Sequence, residues 1–352
     1  MDEKVLKIVT PIIALLTVVF FATFRFMPTI HERYALVVEK REKLFESWDA
    51  YTVEQENLDE ILVEAEGQDT QLNIEIPADV GEESLSIEND YLTQSVYVRF
   101  PGGTDDYFSD YGISGSSDHI KSLFYYKDGD DGVIELNLDH VYEIRTEVTE
   151  GNVAMEFIDP HELYDKVVVV DVGHGSRAAG ATKKGIMEKE INLQIALQLK
   201  KIFDESEENI KVYYTRTEDT NPTLKQRVDL ANLSDADLFI SIHNNSSQSG
   251  NFTSLSGTQV LYSQSDDSEY SSKRLAQICL DSVTDATGSN KRGLMKGDDI
   301  YIIRSSEVPV ALIEVGFMTN REELDNLISE EYQCKVAQGI YNAVLTAFEE
   351  GY

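Results

Sequence analysis

Apolar positions along the chain change period three times, and each change marks a different kind of structure. From Ile8 to Phe24 the sequence IVTPIIALLTVVFFATF runs 17 residues without a charge. That is the short end of a membrane span, and Val5 and Phe26 lengthen it. The next residues are Arg25, Phe26, Met27 and Pro28, with no small-x-small cleavage site. The pattern therefore predicts a retained signal anchor over 5–26 rather than a cleaved signal peptide. A buried core helix fits poorly, because the segment is terminal and apolar on every face. Thr29 to Glu32 then forms a capping box. Tyr34, Val37, Val38, Leu44, Phe45 and Trp48 recur behind it at helical spacing. With the acidic stretch Glu54 to Glu66, residues 29–66 read as a juxtamembrane helix and an acidic linker.

From about Leu72 the period becomes two. Leu72, Ile74 and Ile76 alternate with polar residues, as do Val96, Val98 and Phe100, then Ile134, Leu136 and Leu138, then Val153, Met155 and Phe157. Gly102-Gly103, Asp128-Gly129, Asp131-Gly132 and Glu150-Gly151-Asn152 punctuate these runs as turns. A small β-rich domain over 70–160 follows, and it carries no phosphate loop, metal cluster or nucleophile motif.

Beyond it, strand and helix patterns alternate. Strands are predicted at Lys166–Asp171, Ile210–Thr215, Leu238–His243, Gly257–Tyr262 and Val310–Glu314, and helices at Glu188–Phe203, Leu224–Asn232, Glu269–Ala286 and Glu330–Phe348. Such alternation predicts an α/β domain over 166–350, a largely parallel twisted sheet flanked by helices on both faces. In open sheets of this kind ligands bind beyond the carboxyl ends of the strands.

Composition narrows the function classes. Sixty-four acidic against 30 basic residues give a formal net charge of -34. That argues against nucleic acid as a partner, because phosphate binding needs Lys and Arg patches. Cys279 and Cys334 lie among apolar neighbours in helical segments and form no Cys-x-x-Cys pair, so they are expected to be small buried side chains.

Three strand ends in the α/β domain carry unusual polar residues. The first ends Asp171-Val-Gly-His174-Gly, the third Ser241-Ile-His243-Asn-Asn, and a later one Ile313-Glu314-Val-Gly-Phe317. Glu188 opens the first helix at the same edge. Two imidazoles and a carboxylate suit an open catalytic zinc site with a position left for water. A second carboxylate then handles the proton, and Glu314 is placed for that. Singly, His174 and His243 read as structural histidines and Glu188 as a charge favoured at a helix N-terminus. Glu314 stands apart, since an unpaired carboxylate is costly to bury in Val310–Phe317. Convergence on one edge carries the reading.

Six segments together resemble the zinc-dependent N-acetylmuramoyl-L-alanine amidases of bacterial cell walls. They are Asp171-Val-Gly-His-Gly175, Glu188-Lys-Glu-Ile-Asn-Leu193, Tyr214-Thr-Arg-Thr-Glu-Asp219, Leu224-Lys-Gln-Arg227 with Ala231-Asn232, Ser241-Ile-His243-Asn-Asn, and Ile313-Glu-Val-Gly-Phe-Met-Thr-Asn320. The resemblance covers about Val167 to Phe348. It implies one zinc ion per chain on His174, Glu188 and His243, Glu314 as catalytic acid/base, and hydrolysis of the amide between muramic acid and the first L-alanine of the stem peptide. Val172 stands where the family usually has a small residue or proline, and Ser176 where glycine is common. Arg216, Asp219 and Arg227 are expected to be structural, paired with each other or with helix ends. Arg304 is a candidate for holding a substrate carboxylate. The β-rich segment resembles, in order and pattern, the AMIN-type modules that precede some of these enzymes and imply envelope targeting.

Peptidoglycan is then the expected partner, with envelope or division proteins as further candidates. The catalytic domain would face the wall at the cell membrane, since the substrate lies there. Two cations, Lys4 and Lys7, precede the span and four, Arg25, Arg33, Lys40 and Arg41, follow it. Flanking charge therefore gives no support for an outside C-terminus and if anything opposes it, so the substrate's location decides. A zinc peptidase acting on stem peptides shares the metal but would want His-Glu-x-x-His, which is missing. A catalytically silent wall-binding scaffold has no need of all four site residues.

Overall fold

The computed structural model describes residues 51–54, 72–116, 118–266 and 268–352. The expected membrane span over 5–26 and most of 29–66 lie outside them. Among the described residues no helix is long and apolar enough to cross a membrane.

In the first unit, β1 (Tyr51–Glu54), β2 (Leu72–Glu75), β3 (Ser86–Asp90), β4 (Ser95–Pro101), β5 (Ile113–Gly115), β6 (Ile120–Asp128), β7 (Asp131–Leu138), β8 (Glu143–Thr149) and β9 (Asn152–Ile158) form two antiparallel sheets. Their orders are β1-β6-β7-β4-β3 and β5-β2-β9-β8. Period-two alternation places one face of each sheet in a shared core. Val96, Val98 and Phe100 of β4 and Ile134 and Leu136 of β7 pack with Leu72 and Ile74 of β2 and Val153 and Met155 of β9. Gly132 is required there, because a Cβ would come within 2.7 Å of the Phe100 ring. Tyr51–Glu54 differs from expectation: instead of belonging to the helix and linker it is an edge strand paired with β6. Short helices α1 (Tyr107–Asp110) and α2 (Pro160–Leu163) complete the unit.

The second unit runs β10 (Lys166–Val172), β11 (Thr182–Lys183), β12 (Ile186–Met187), α3 (Glu188–Asp204), β13 (Ile210–Tyr214), α4 (Leu224–Leu233), β14 (Leu238–Asn245), β15 (Thr258–Tyr262), α5 (Ser272–Thr287), β16 (Lys291–Lys296), α6 (Tyr301–Arg304), β17 (Val310–Phe317), α7 (Arg321–Leu327) and α8 (Glu330–Glu349). Its six-stranded sheet has the order β13-β10-β14-β17-β15-β16. The first four strands are mutually parallel, β15 is antiparallel to β17, and β16 runs with β15. The sheet is thus mixed, with two reversed strands at one side. Val167 to Val170 are wholly buried because helices cover both faces. Val168, Val170, Ile240 and Ile313 face α3, α5 and α8, while Val167, Val169, Phe239 and Leu312 face α4 and α6.

Cys279 is buried in α5, but Cys334 is exposed. On α8 it falls outside the stripe Val336, Ala337, Ile340, Ala343 and Val344 that packs inward. Burial pushes the Cys279 thiol up to about 12.

The α4 face of the sheet also receives Val141, Tyr91 and Leu92 from the first unit. Glu143 sits at this junction. It accepts from the Tyr91 hydroxyl at 3.0 Å and the Tyr213 hydroxyl at 2.7 Å, and pairs with Lys211 at 2.6 Å. The Lys211 ammonium lies 5.0–5.3 Å from the ring centroids of Tyr91, Tyr164 and Tyr213. Removing the carboxylate strands a largely buried ammonium and two hydroxyls. Glu143→Ala should cost about 2–3 kcal/mol and make the two units unfold in separate steps in urea. A variant that unfolds in one step at the wild-type midpoint would show that this junction does not couple them.

Candidate active site

The site forms where β10, β14 and β17 end. His174 lies two residues beyond β10, His243 is in the last turn of pairing of β14, and Glu314 is opposite it on β17, with His243 and Glu314 directly paired in register. Glu188 is the first residue of α3, entered from the β11–β12 hairpin.

One oxygen of Glu188 gathers the set. Its Oε1 is 3.1 Å from His174 Nε2 and 3.0 Å from His243 Nδ1, and it accepts from the main-chain N–H of Asn244 at 3.0 Å. Its Oε2 accepts from the N–H of Ala181 at 2.8 Å. The candidate ligand atoms of His174, Glu188 and His243 all lie within 4.8 Å of one another. The rings of the two histidines meet edge to face at 4.8 Å. Gly173 is needed for this approach, because a Cβ there would sit 2.4 Å from His243 Nε2.

Electrostatics follow from the packing. Burial disfavours the Glu188 carboxylate, but the flanking histidines outweigh it and hold its pKa well below the usual range. Burial likewise favours neutral His243, yet the Glu188 contact raises its pKa. Glu314 behaves oppositely. Burial drives its pKa up, the His243 charge lowers it and the Glu188 charge raises it, leaving it at about 7. Its Oε2 is shielded from solvent and has no hydrogen-bond partner. Two nitrogens and an oxygen clustered this closely, beside an unpartnered carboxylate oxygen, fit a three-ligand metal site with an adjacent base.

Beneath the site, buried side chains fix the His174 loop. Arg227 Nη1 donates to Asp171 Oδ1 at 2.6 Å and to the Val172 carbonyl at 2.7 Å, and its Nη2 donates to the His174 carbonyl at 2.8 Å. Arg216 donates to the carbonyls of Val172, Gly173 and Lys189 at 2.9–3.0 Å. Asn192 also donates to Gly173 O, and Asn244 donates to Asn192. Arg216, Asp219 and Arg227 therefore do not pair with one another. Asp219 instead accepts from the Ser176 N–H and from Lys189 Nζ. His174 and Ser176 both have left-handed backbone, φ 62 and 46. Such a conformation at Ser176 suits glycine better, which is the physical sense of the departure there. Val172 is buried in the core, where its side chain packs with β14 and α3 neighbours.

Arg304 is not brought to this edge. Tyr262 of β15 pairs with Ala311 and with Lys296, so β16 ends at the opposite side of the sheet, where β17 begins. Arg304 follows there in α6 and donates to the Asp299 carbonyl. Asp171, Asn192 and Asn244 were not singled out by sequence reasoning. Only a carboxylate inside the run Val167–Val172 signals Asp171.

Fold and site together define an α/β domain that gathers two histidines and two glutamates at the carboxyl end of its sheet. The family model for N-acetylmuramoyl-L-alanine amidase matches residues 168–346. Among relatives, the germination-specific N-acetylmuramoyl-L-alanine amidase of Bacillus subtilis is 32% identical over 203 residues, spanning 53% of this chain and 82% of that protein. The uncharacterized protein YqiI of the same organism is 38% identical over 186 residues, 53% of this chain and 86% of that one. The crystal structure of an N-acetylmuramoyl-L-alanine amidase from Clostridium difficile 630 superposes with a TM-score of 0.50 at 34% identity, covering 53% of this chain and 98% of that one. The chain belongs to the N-acetylmuramoyl-L-alanine amidase family and is a peptidoglycan amidase.

The buried Asp171 makes a test of the scaffold. Burial pushes its pKa up, but Arg227 and the Ser241 hydroxyl more than offset that and hold it below the ordinary value. A depressed carboxylate contributes stability above its unfolded pKa of about 4 and loses it as pH falls through the folded value. Asp171→Asn should therefore cost about 3–5 kcal/mol near neutral pH. The gap to wild type should narrow below about pH 4. Denaturant unfolding at several pH values checks this, and a gap independent of pH would show that packing rather than charge is lost.

Proposed function

We propose that the amidase reaction runs on one zinc ion held by His174, Glu188 and His243, with Glu314 as the acid/base. The observation that carries this reading is the single Glu188 oxygen within 3.1 Å of both imidazoles, beside a Glu314 oxygen with no partner. A zinc ion there would supply Lewis acidity, polarising the scissile carbonyl and acidifying water to a pKa of about 7.

The chain's own groups do the rest. Glu188 is kept ionised by its histidines and by two main-chain N–H groups, so the donor set carries negative charge at working pH. Glu314, poised at about 7, takes the proton of the attacking water and passes it to the departing alanine nitrogen. Shielding of its Oε2 keeps bulk water from serving as a competing acceptor.

For placement, the uncharged run Ile8–Phe24 supports a membrane anchor over 5–26, with the catalytic domain on the wall side where peptidoglycan lies. The β-rich unit, AMIN-like in its pattern, is read as the envelope-contacting module. Protease added to intact protoplasts should remove everything beyond the anchor, and a chain begun at residue 50 should still sediment with purified sacculi. Full protection would reverse the topology, and a chain that stays in the supernatant would remove wall contact from the β unit.

Ligands and base are separable by substitution. His174→Ala or His243→Ala should lose both zinc and turnover of muropeptides. Glu314→Gln should keep near-stoichiometric zinc and lose about 10²–10⁴-fold in turnover. Atomic absorption beside mass analysis of the products reads both. Loss of zinc in Glu314→Gln would make Glu314 a ligand, and shortened stems in place of free stems beginning with L-alanine would mean a peptidase.

A further inference from the structure

At the edge of the sheet that carries the site, the charge sign of this acidic chain reverses locally. The ring of Phe252 has Lys183 Nζ at 4.4 Å, Arg321 Cζ at 4.1 Å and Lys184 Nζ at 5.5 Å from its centroid. Each part comes from a segment that also brings in a site residue. Lys183 and Lys184 lie on the β11–β12 hairpin that leads into Glu188, Phe252 follows the β14 strand of His243, and Arg321 follows the β17 strand of Glu314.

An aromatic face attracts each cation, but three like charges around one ring repel one another. Such a cluster would ordinarily be neutralised by carboxylates, which outnumber cations 64 to 30 in this chain. Among the described residues, the ion pairs involve none of the three. Lys183 donates only to the Gly250 carbonyl, which fixes its stem and leaves its charge uncompensated. A cluster of this kind, beside a site that is itself acidic, fits an anion supplied from outside.

Chain geometry gives the reach. The N–H of Ala181 touches Glu188 Oε2, and Lys183 is two residues further along an extended segment. Two extended residues cover about 7 Å. A stem peptide lying in extended form from the scissile bond would thus present a carboxylate here from about its second or third residue.

We propose that Lys183, Lys184 and Arg321, gathered on Phe252, are a carboxylate-binding subsite that makes the enzyme select stems bearing a free acid group beyond the L-alanine. The proposal rests on the amidase reading, and its test separates the two. Soluble muropeptides are prepared with the acidic residues of the stem either free or amidated, and both are assayed with wild type and with the triple variant Lys183→Met, Lys184→Met, Arg321→Met. Wild type should show a KM about 10- to 100-fold lower for the free acid, the usual size of one or two charge-assisted hydrogen bonds. The difference should be sensitive to salt. In the triple variant the ratio of KM values should fall toward one, while Lys183→Arg, Lys184→Arg, Arg321→Lys restores the preference. Thermal unfolding checks that the variants fold.

Equal KM values for the two stems in wild type overturn the subsite and leave the amidase reading standing. Failure of wild type to cleave either stem would instead sink the amidase reading. If the triple variant keeps its discrimination but loses action on whole sacculi, and poly(glycerol phosphate) competes with wild type alone, the patch serves an anionic wall polymer and the stem proposal is overturned.

Discussion

Where β10 leaves the sheet, three successive carbonyls, those of Val172, Gly173 and His174, turn away from any neighbouring strand while still buried. Unsatisfied, each would cost about 1–3 kcal/mol. Two guanidinium forks meet them from below, with Asn192 adding a further donor to Gly173. Only a planar group with several fixed donors can serve adjacent carbonyls at once, so lysine is no substitute for arginine here. Both forks tie the loop's carbonyls to buried side chains. His174 is held in a left-handed conformation that costs roughly 1–2 kcal/mol, and its imidazole is aimed at Glu188. Arg216 also reaches the Lys189 carbonyl, so the same side chain sets the start of α3 and the position of Glu188. The site's geometry is thus fixed by cations that touch no substrate.

Two cations under a loop require an anion, and Asp171 supplies it. Its oxygens are saturated by Arg227, Ser241 and Thr215, which keeps it ionised in full burial. The contrast with the carboxylates above is chemical. Glu188 is surrounded by imidazoles and N–H donors and is held acidic, whereas for Glu314 burial and the Glu188 charge outweigh the His243 charge and raise it to about 7. Three glutamate or aspartate side chains at one sheet edge are therefore held in three different electrostatic states, set by what their oxygens touch. Environments that push neighbouring carboxylates apart in pKa are how one fold assigns acid, base and ligand.

Much of this was legible in the chain. The period-two runs from Leu72 onward gave core-facing positions of β2, β4, β7 and β9 but not those of β5 or β6, and the alternation after Lys166 located every long helix and all strands but β16 and the two-residue β11 and β12. Their sequences show why these escaped. Lys291-Arg-Gly-Leu-Met-Lys296 has three cations and a glycine and alternates nothing, and β11 and β12 are too short for a period. The His/Glu/His set and Glu314 could be read because strand ends in an open sheet point to one edge. The Arg216 and Arg227 forks could not be paired from sequence, because apart from the Asp171 carboxylate on Arg227 their acceptors are mostly main-chain carbonyls, which carry no side-chain signature. Cys334 misled for a related reason, since apolar neighbours along a helix do not place a residue on its buried face.

The reversal of β15 and β16 was also invisible in the sequence, and it changes what surrounds the site. An all-parallel sheet would have carried the end of β16, and Arg304 just after it, to the catalytic edge. Reversal brings the start of β16 there instead. Arg292 stacks on Phe317 at 4.9 Å, the residue at which β14 and β17 last pair. Arg304 is left at the far side, over Tyr301. Strand polarity at the sheet margin thus decides which cations flank the reaction centre. In a chain of net charge -34 such clustered cations carry weight only within a Debye length of about 8–10 Å. Lys183 and Arg321 share their edge with His174, Glu188, His243 and Glu314, which is the placement the proposed carboxylate subsite requires.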